Sequence, residues 1–267
     1  MTTAIANVSS ESRQTVSLSP ANHPVVSRQR WLAERKQLLE REKELTRLGD
    51  QIAAERRALP WVRMDKEYLF DTPAGRRPLA DLFDGRHQLV MEHFMLAPGW
   101  EQGCKSCSYM ADHTDATLLH LAQRDTAFVA VSRAPLAEIE RFRKRMGWRF
   151  PWVSSDGTDF NRDFHVTFTA DEMAGGTADY NFGARPHGAE LPGVSAFWKD
   201  DAGEVFHTYS TYGRGVEVMM HTYNLLDLTP KGRDEDGLDF TMAWVRHHDR
   251  YETAPKAAKA DGSCCAG

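Results

Sequence analysis

Apolar residues recur along this chain with more than one period, and the changes of period mark its parts. Over 24–59, Trp31, Leu38, Leu45, Ile52 and Leu59 return every seven residues, with Leu32, Leu39 and Leu48 beside them. The background is Arg, Lys, Glu and Gln, so this reads as a long amphipathic helix with a narrow apolar stripe. Pro60 stops it. The pattern predicts that the helix packs across its own domain. The alternative is a homodimer through this helix as a coiled coil, but Glu34 and Arg41 break the second apolar row.

From 60 to 251 strand and helix patterns alternate. Strands are expected at 67–71, 88–95, 126–132, 151–154, 194–199 and 204–210, and helices at 105–123, 135–146 and 215–226. Phe128-Val129-Ala130-Val131 is a short apolar run of the kind buried on both faces of a sheet. Pro135 suits the first position of a helix. Asp200-Asp201-Ala202-Gly203 reads as a hairpin turn between two strands. The stretch near 159–192 is rich in Gly, Asn and Asp and reads as an irregular insertion. Residues 1–23 read as a disordered N-terminus and 252–267 as a flexible tail carrying a cysteine pair. Strand–helix–strand–helix, then a hairpin and a closing helix, is the thioredoxin order: an α/β, thioredoxin-like fold with a central mixed sheet flanked by helices.

Composition narrows the function classes. A length of 267 residues can bury a full core. A net charge of −5 gives no electrostatic footprint for nucleic acid. No apolar run approaches the roughly 20 residues of a membrane span, and the Ser- and Thr-rich start lacks a signal-peptide core. Four cysteines do not make a disulfide scaffold. The expectation is a cytoplasmic protein with reactive thiols, no cofactor, and no nucleic-acid or membrane partner.

The chemistry lies in Gly103-Cys104-Lys105-Ser106-Cys107, between the strand ending near 95 and the helix starting at 105. A helix start offers free N–H groups and a partial positive charge, which favour a thiolate over a thiol. Lys105 would push the same way. A second cysteine one turn along can attack the resulting mixed disulfide. The expected partner is a disulfide or dithiol substrate, protein or small molecule. Two alternatives use the same thiols. A Cys-x-x-Cys is half of a metal site, and Cys264 and Cys265 could join it to hold a soft metal. A peroxiredoxin-like thiol peroxidase is the other, but Pro98 precedes Cys104 without the Pro-x-x-x-Thr/Ser-x-x-Cys spacing. Ser263-Cys264-Cys265-Ala266-Gly267 resembles the Cys-Cys tails of mercuric reductases. That pair could relay electrons to Cys104 or be inert.

Several long motifs resemble a bacterial family of thioredoxin-like proteins of unknown function, predicted to be dithiol–disulfide oxidoreductases. They are His23-Pro24-Val25-Val26-Ser27, Glu42 to Arg47, Arg57-Ala58-Leu59-Pro60-Trp61-Val62, Arg145 to Ser155, His207 to Tyr212 and Leu225 to Arg233. The resemblance covers about 23–251. It implies Cys104 as the attacking cysteine and Cys107 as the resolving one. Thioredoxins also carry a buried Asp on the strand before the thiols as a proton carrier. Here Glu92 or His93 must serve, and being adjacent they face opposite sides of the sheet. Thioredoxins place a cis-proline against the thiol. The candidate is Pro192 in Leu191-Pro192-Gly193, which equally suits a trans turn. His207, Tyr209, Tyr212 and Arg214 are groove candidates or partial core. Trp148 and Trp152 read as core, and His247-His248 as a helix end favouring the dipole.

Overall fold

The structure, a computed structural model, describes residues 23–251 except residue 177. The N-terminal segment up to residue 22 and the tail with Cys264 and Cys265 lie outside the described residues.

Helix α1 (Arg28–Ala58) starts where the Ser27 hydroxyl accepts the Arg30 N–H at 3.3 Å. It buries none of its residues, which overturns the expectation that it packs across its own domain. Trp31, Leu38, Leu45 and Ile52 stay between 38% and 71% exposed. The reason is partly local. The stripe is one residue wide, and Arg35–Glu42 (2.7 Å) and Lys43–Glu40 (2.9 Å) line its flanks with charge. It is also tertiary, because other segments already cover both faces of the sheet.

The sheet contains β1 (Val62–Arg63), β2 (Leu69–Thr72), β3 (Gly75–Pro78), β4 (Gln88–His93), β5 (Thr126–Ser132), β6 (Trp152–Ser154), β7 (Gly193–Lys199) and β8 (Val205–Tyr212). Their order is β1-β8-β7-β4-β5-β6-β2-β3. The central β4 runs parallel to β5 and antiparallel to β7, and β7 returns antiparallel to β8. Those pairings are the thioredoxin core. The chain has an α/β, thioredoxin-like fold with a long N-terminal helix. Gly203, at φ +87°, makes the hairpin turn. The short edge strands β1 and β3 were not legible, because Val62–Arg63 is too brief and Gly75-Arg76-Arg77-Pro78 shows no apolar alternation.

The helix expected over 105–123 is two pieces, α2 (Lys105–Thr114) and α3 (Leu118–Ala122). Asp115 interrupts it because its carboxylate is engaged elsewhere, accepting the N–H groups of Arg149 (2.6 Å) and Phe150 (3.1 Å). Helix α4 (Leu136–Met146) ends on Gly147 at φ +71°. The insertion is more regular than expected. It holds α5 (Phe160–Asp163) and α6 (Ala170–Gly175), the latter with a Thr169–Glu172 capping box. Phe160, Phe164, Val166 and Leu191 are buried, so its apolar residues close one face of the sheet. The last expected helix is a 3-10 turn (Gly213–Met219) followed by α7 (His221–Leu226).

Alternation along β4 divides the core. Leu89 and Met91 face Phe160, Phe164 and the 3-10 turn Leu79–Phe83. Val90 and Phe94 face Cys107, Ala111, Ile139 and Phe142. Glu92 therefore shares the second face and His93 the first.

The loop leading into α2 is packed tightly. A Cβ on Gly103 would meet Phe94 at 2.5 Å and Phe142 at 2.8 Å. We predict that Gly103→Ala destabilises the fold by about 1–3 kcal/mol, the usual cost of overpacking. A urea midpoint equal to that of the wild type would count against this packing.

Candidate active site

Cys104 caps α2, and its N–H donates to the Met95 carbonyl at 3.0 Å. Its carbonyl accepts the Ser108 N–H at 2.9 Å and the Ser108 hydroxyl at 2.8 Å, so the first helical turn is anchored on it. The Cys104 side chain is half-buried, whereas Cys107 is buried at 1% exposure. The Cys104 thiol is brought down to about 6, chiefly by a hydrogen bond from the Cys107 side chain. Burial opposes the shift, while the Cys107 and Ser106 backbone N–H groups and the Ser106 side chain reinforce it. Cys107 is pushed well up by donating to Cys104, by burial, and by the negative charges of Cys104 and Glu92. Lys105 is exposed and is not among the main causes, so the expected lysine effect gives way to the helix start and the partner thiol.

Glu92 is fully buried, and neither carboxylate oxygen has a hydrogen-bond partner. Burial pushes its pKa well above the usual carboxylate range, and the charges of Cys104 and Asp112 add to this. His93 points away, where its Nε2 meets the Ser195 hydroxyl at 2.8 Å and its ring stacks on Phe160. Burial brings His93 down to about 3. Of the two proton-carrier candidates, only Glu92 shares the thiols' side of the sheet. His93 is corrected to a neutral core group.

Pro192 borders the same cleft as Cys104, but its peptide bond is trans, and no cis bond occurs among the described residues. The proposed cis-proline is therefore not found. Instead the Tyr180 hydroxyl holds the Pro192 carbonyl at 2.7 Å. Gly193 follows and begins β7, so close to the Tyr212 ring that a Cβ would lie 2.7 Å from it. The cleft has a volume of about 1420 Å³. Met95, Cys104, Tyr180, Leu191, Met220 and Phe240 are among the residues that line it. Arg214 also lines it, paired with Glu217 at 2.7 Å. His207 instead donates to or accepts from Ser210 at 2.7 Å, and Tyr209 lies under the Arg56 guanidinium. Trp148 and Trp152 are buried, as read from the sequence. Another hollow, of about 700 Å³, opens beside β2 and β3 and has no cysteine in its lining.

Sequence reasoning missed His247. It does not end a helix but precedes the 3-10 turn His248–Arg250 and is 3% exposed. Its Nε2 donates to the Gly103 carbonyl at 2.9 Å, and its Nδ1 accepts from Arg145 at 3.3 Å. Arg145 also reaches Gln102 (3.2 Å) and clasps Asp249 (2.9 and 2.8 Å). His248 meets Asp112 at 2.7 Å. The C-terminal segment thus straps the loop that presents Cys104. The His-His doublet was visible, but its partner is 144 positions away. Among the described residues, no group of three or more His, Cys, Asp or Glu is placed to hold a metal.

The family profile described as "Bacterial protein of unknown function (DUF899)" matches residues 20–251. The chain belongs to this family. No curated protein matches the DUF899 chain. Solved structures similar to it include a Xanthomonas campestris bacterioferritin comigratory protein studied for alkyl peroxide reduction (16% identity, 58% of this chain and 88% of that one, TM-score 0.39). The peroxidoxin BcpB of Mycobacterium tuberculosis has 12% identity, 61% and 97% coverage and a TM-score of 0.37. A provisionally assigned protein disulfide isomerase of Bacteroides thetaiotaomicron has 16% identity, 67% and 98% coverage and a TM-score of 0.35. Likenesses this distant assign no residue of the DUF899 chain a role, so its chemistry rests on its own geometry. No helix among the described residues is long and apolar enough to cross a membrane.

Proposed function

We propose that this protein is a thiol–disulfide oxidoreductase in which Cys104 attacks and Cys107 resolves. The observation that carries the reading is the opposed pair of thiols: Cys104 brought down to about 6, and Cys107 buried, protonated and donating to it. The Cys104 thiolate attacks one sulfur of a substrate disulfide, and the other sulfur leaves as a thiolate. Glu92, protonated at rest, loses its proton to solvent once Cys104 is capped, the carboxylate so formed takes the Cys107 proton, and Cys107 attacks the Cys104 sulfur. The second substrate sulfur leaves, so the substrate becomes a dithiol and the protein a disulfide. Capping Cys104 in the mixed disulfide also removes its charge, one cause of the elevated Glu92 pKa. Run backwards, the same steps oxidise a dithiol.

The lowered pKa raises the thiolate fraction of Cys104 at neutral pH about 30-fold over a free thiol. Intrinsic nucleophilicity falls by about tenfold with the same shift, so the net gain in attack is only about threefold. The lowered pKa matters as much for stabilising the reduced form as for attack. A thiol peroxidase is less favoured, since Ala97 and Glu101 stand where its pattern needs Pro and Thr or Ser.

Iodoacetamide labelling of the native protein tests the assignment. Cys104 should label with a midpoint near pH 6, with Cys107 inert across neutral pH. Labelling of Cys107 first would reverse the roles. Peroxide consumption exceeding disulfide reduction would favour the peroxidase, and stoichiometric zinc or copper without exchange would favour metal binding.

A further inference from the structure

We propose that His247 is a positioning residue for the attacking thiol: by clamping the Gly103 carbonyl it holds the Cys104 sulfur over the N–H groups that open α2. The proposal rests on Cys104 as the attacking cysteine and adds what keeps its sulfur in place.

The peptide unit between Gly103 and Cys104 is pinned from both sides. In a trans peptide the carbonyl and the following N–H point in opposite directions. Here the Gly103 carbonyl accepts from His247 at 2.9 Å, and the Cys104 N–H donates to the Met95 carbonyl at 3.0 Å. With both ends held, the plane cannot turn about the chain. Its orientation sets where the Cys104 side chain starts. The loop has no side chain at 103 to hold it, because a Cβ there would strike Phe94 and Phe142. The carbonyl is its handle.

The partners of His247 fix which ring nitrogen donates. Arg145 faces Nδ1 at 3.3 Å, and a guanidinium has no acceptor. Nδ1 therefore accepts, and the proton sits on Nε2, towards Gly103. Arg145 is held by Asp249 at 2.9 and 2.8 Å and reaches Gln102 at 3.2 Å, so the residue before Gly103 is tied to the same clamp. The ring stands edge-on to Phe142, with centroids 5.3 Å apart. The charged groups around it are Arg145 of α4, Asp249 of the 3-10 turn and Lys105 of α2. Burial, with the two cations, holds the imidazole below its ordinary range, so the neutral donor persists through neutral pH.

The clamp protects an alignment. The Cys107 and Ser106 backbone N–H groups help to hold the Cys104 thiolate, and hydrogen bonds weaken steeply as they bend. A peptide plane free to turn would misdirect the sulfur. Losing one hydrogen bond to a charged group is worth about one pKa unit, a tenfold change in ionisation.

Three substitutions in the full-length protein separate the donor from the ring. His247→Phe keeps a ring against Phe142 but has no donor. His247→Gln loses the ring and keeps an N–H at a similar reach. His247→Ala loses both. Iodoacetamide labelling of Cys104 against pH should give a midpoint near 6 for the wild type and His247→Gln. His247→Phe and His247→Ala should lie about one unit higher. At pH 8 their reduction potentials against glutathione should fall by about 30 mV, the equivalent of that tenfold change. A residue that merely filled space would give the reverse ranking, with His247→Phe near the wild type and His247→Gln displaced. That ranking, or equal midpoints near 6 throughout, would overturn the clamp and leave Cys104 as the nucleophile. A wild-type midpoint at the free-thiol value would overturn both the clamp and the thiol assignment. If His247→Ala does not fold, His247→Phe against His247→Gln still decides.

Discussion

Serine at Cys104 is expected to bring disulfide reduction down to the uncatalysed rate, and serine at Cys107 to stop the reaction half-way. The two losses differ because the roles differ. Exchange proceeds only by direct attack of one sulfur on another, so without the Cys104 sulfur no covalent step begins. Oxygen is not a substitute, since a serine hydroxyl at this helix start stays protonated at neutral pH. Cys107 is 1% exposed and cannot meet a substrate. Its removal leaves Cys104 able to attack but leaves nothing to resolve the product. Incubating Cys107→Ser with a protein disulfide should therefore accumulate a cross-linked species on non-reducing gels, while Cys104→Ser should not. Turnover retained by Cys104→Ser would remove Cys104 as the nucleophile. Turnover retained by Cys107→Ser would require a resolving thiol elsewhere, and the Cys264–Cys265 pair would be the first to test.

Glu92→Gln should slow resolution on the order of 10²-fold at neutral pH, within the usual range for a lost proton acceptor. The same substitution should make the protein more stable at alkaline pH. The sign follows from linkage. The folded-state pKa of Glu92 lies above its unfolded value. Below the unfolded pKa both states hold the proton and Glu92 costs little. As pH rises through the window between the two values, the unfolded chain ionises freely. The folded chain must keep the proton or bury a charge, so stability falls until the folded pKa is passed. Each unit of elevation corresponds to about 1.4 kcal/mol. Glutamine cannot ionise and removes this slope. Urea midpoints at about pH 4 should match between the two proteins, while at about pH 8 the variant should be ahead. Decay of a mixed disulfide with a chromophoric probe reads the kinetic half. A stability gain without slower resolution would make Glu92 a buried burden with no proton role. Unchanged stability would mean that the carboxyl is not held protonated. Both effects together would mark a residue kept for chemistry at a cost to the fold.

Much of the architecture could be read along the chain. Strands 126–132 and 194–199 were visible because an apolar run bounded by turn residues has few other uses. The insertion was misread because its Gly, Asn and Asp residues hide Phe160, Phe164, Val166 and Leu191, which are too widely spaced to show a period. The helix break at Asp115 was invisible because its partners, Arg149 and Phe150, come 34 and 35 residues later. Within the site, the thiols were plain from their two-residue spacing. Position on β4 showed that Glu92 and His93 must part, but not which would meet the thiols.

By itself the sequence determined the α/β order of elements, the Cys104–Cys107 pair at a helix start, and the seven-residue stripe on α1. These rest on neighbours within one or two turns, where periodicity and spacing are local properties. Tertiary structure alone decided that Glu92 lies on the thiols' side, that His247 clasps Gly103, that Pro192 is trans, and that α1 buries none of its residues. Each of these turns on groups far apart in the chain. The direction of a side chain across a sheet is set by what packs on either face, and one chain's periodicity carries no record of that.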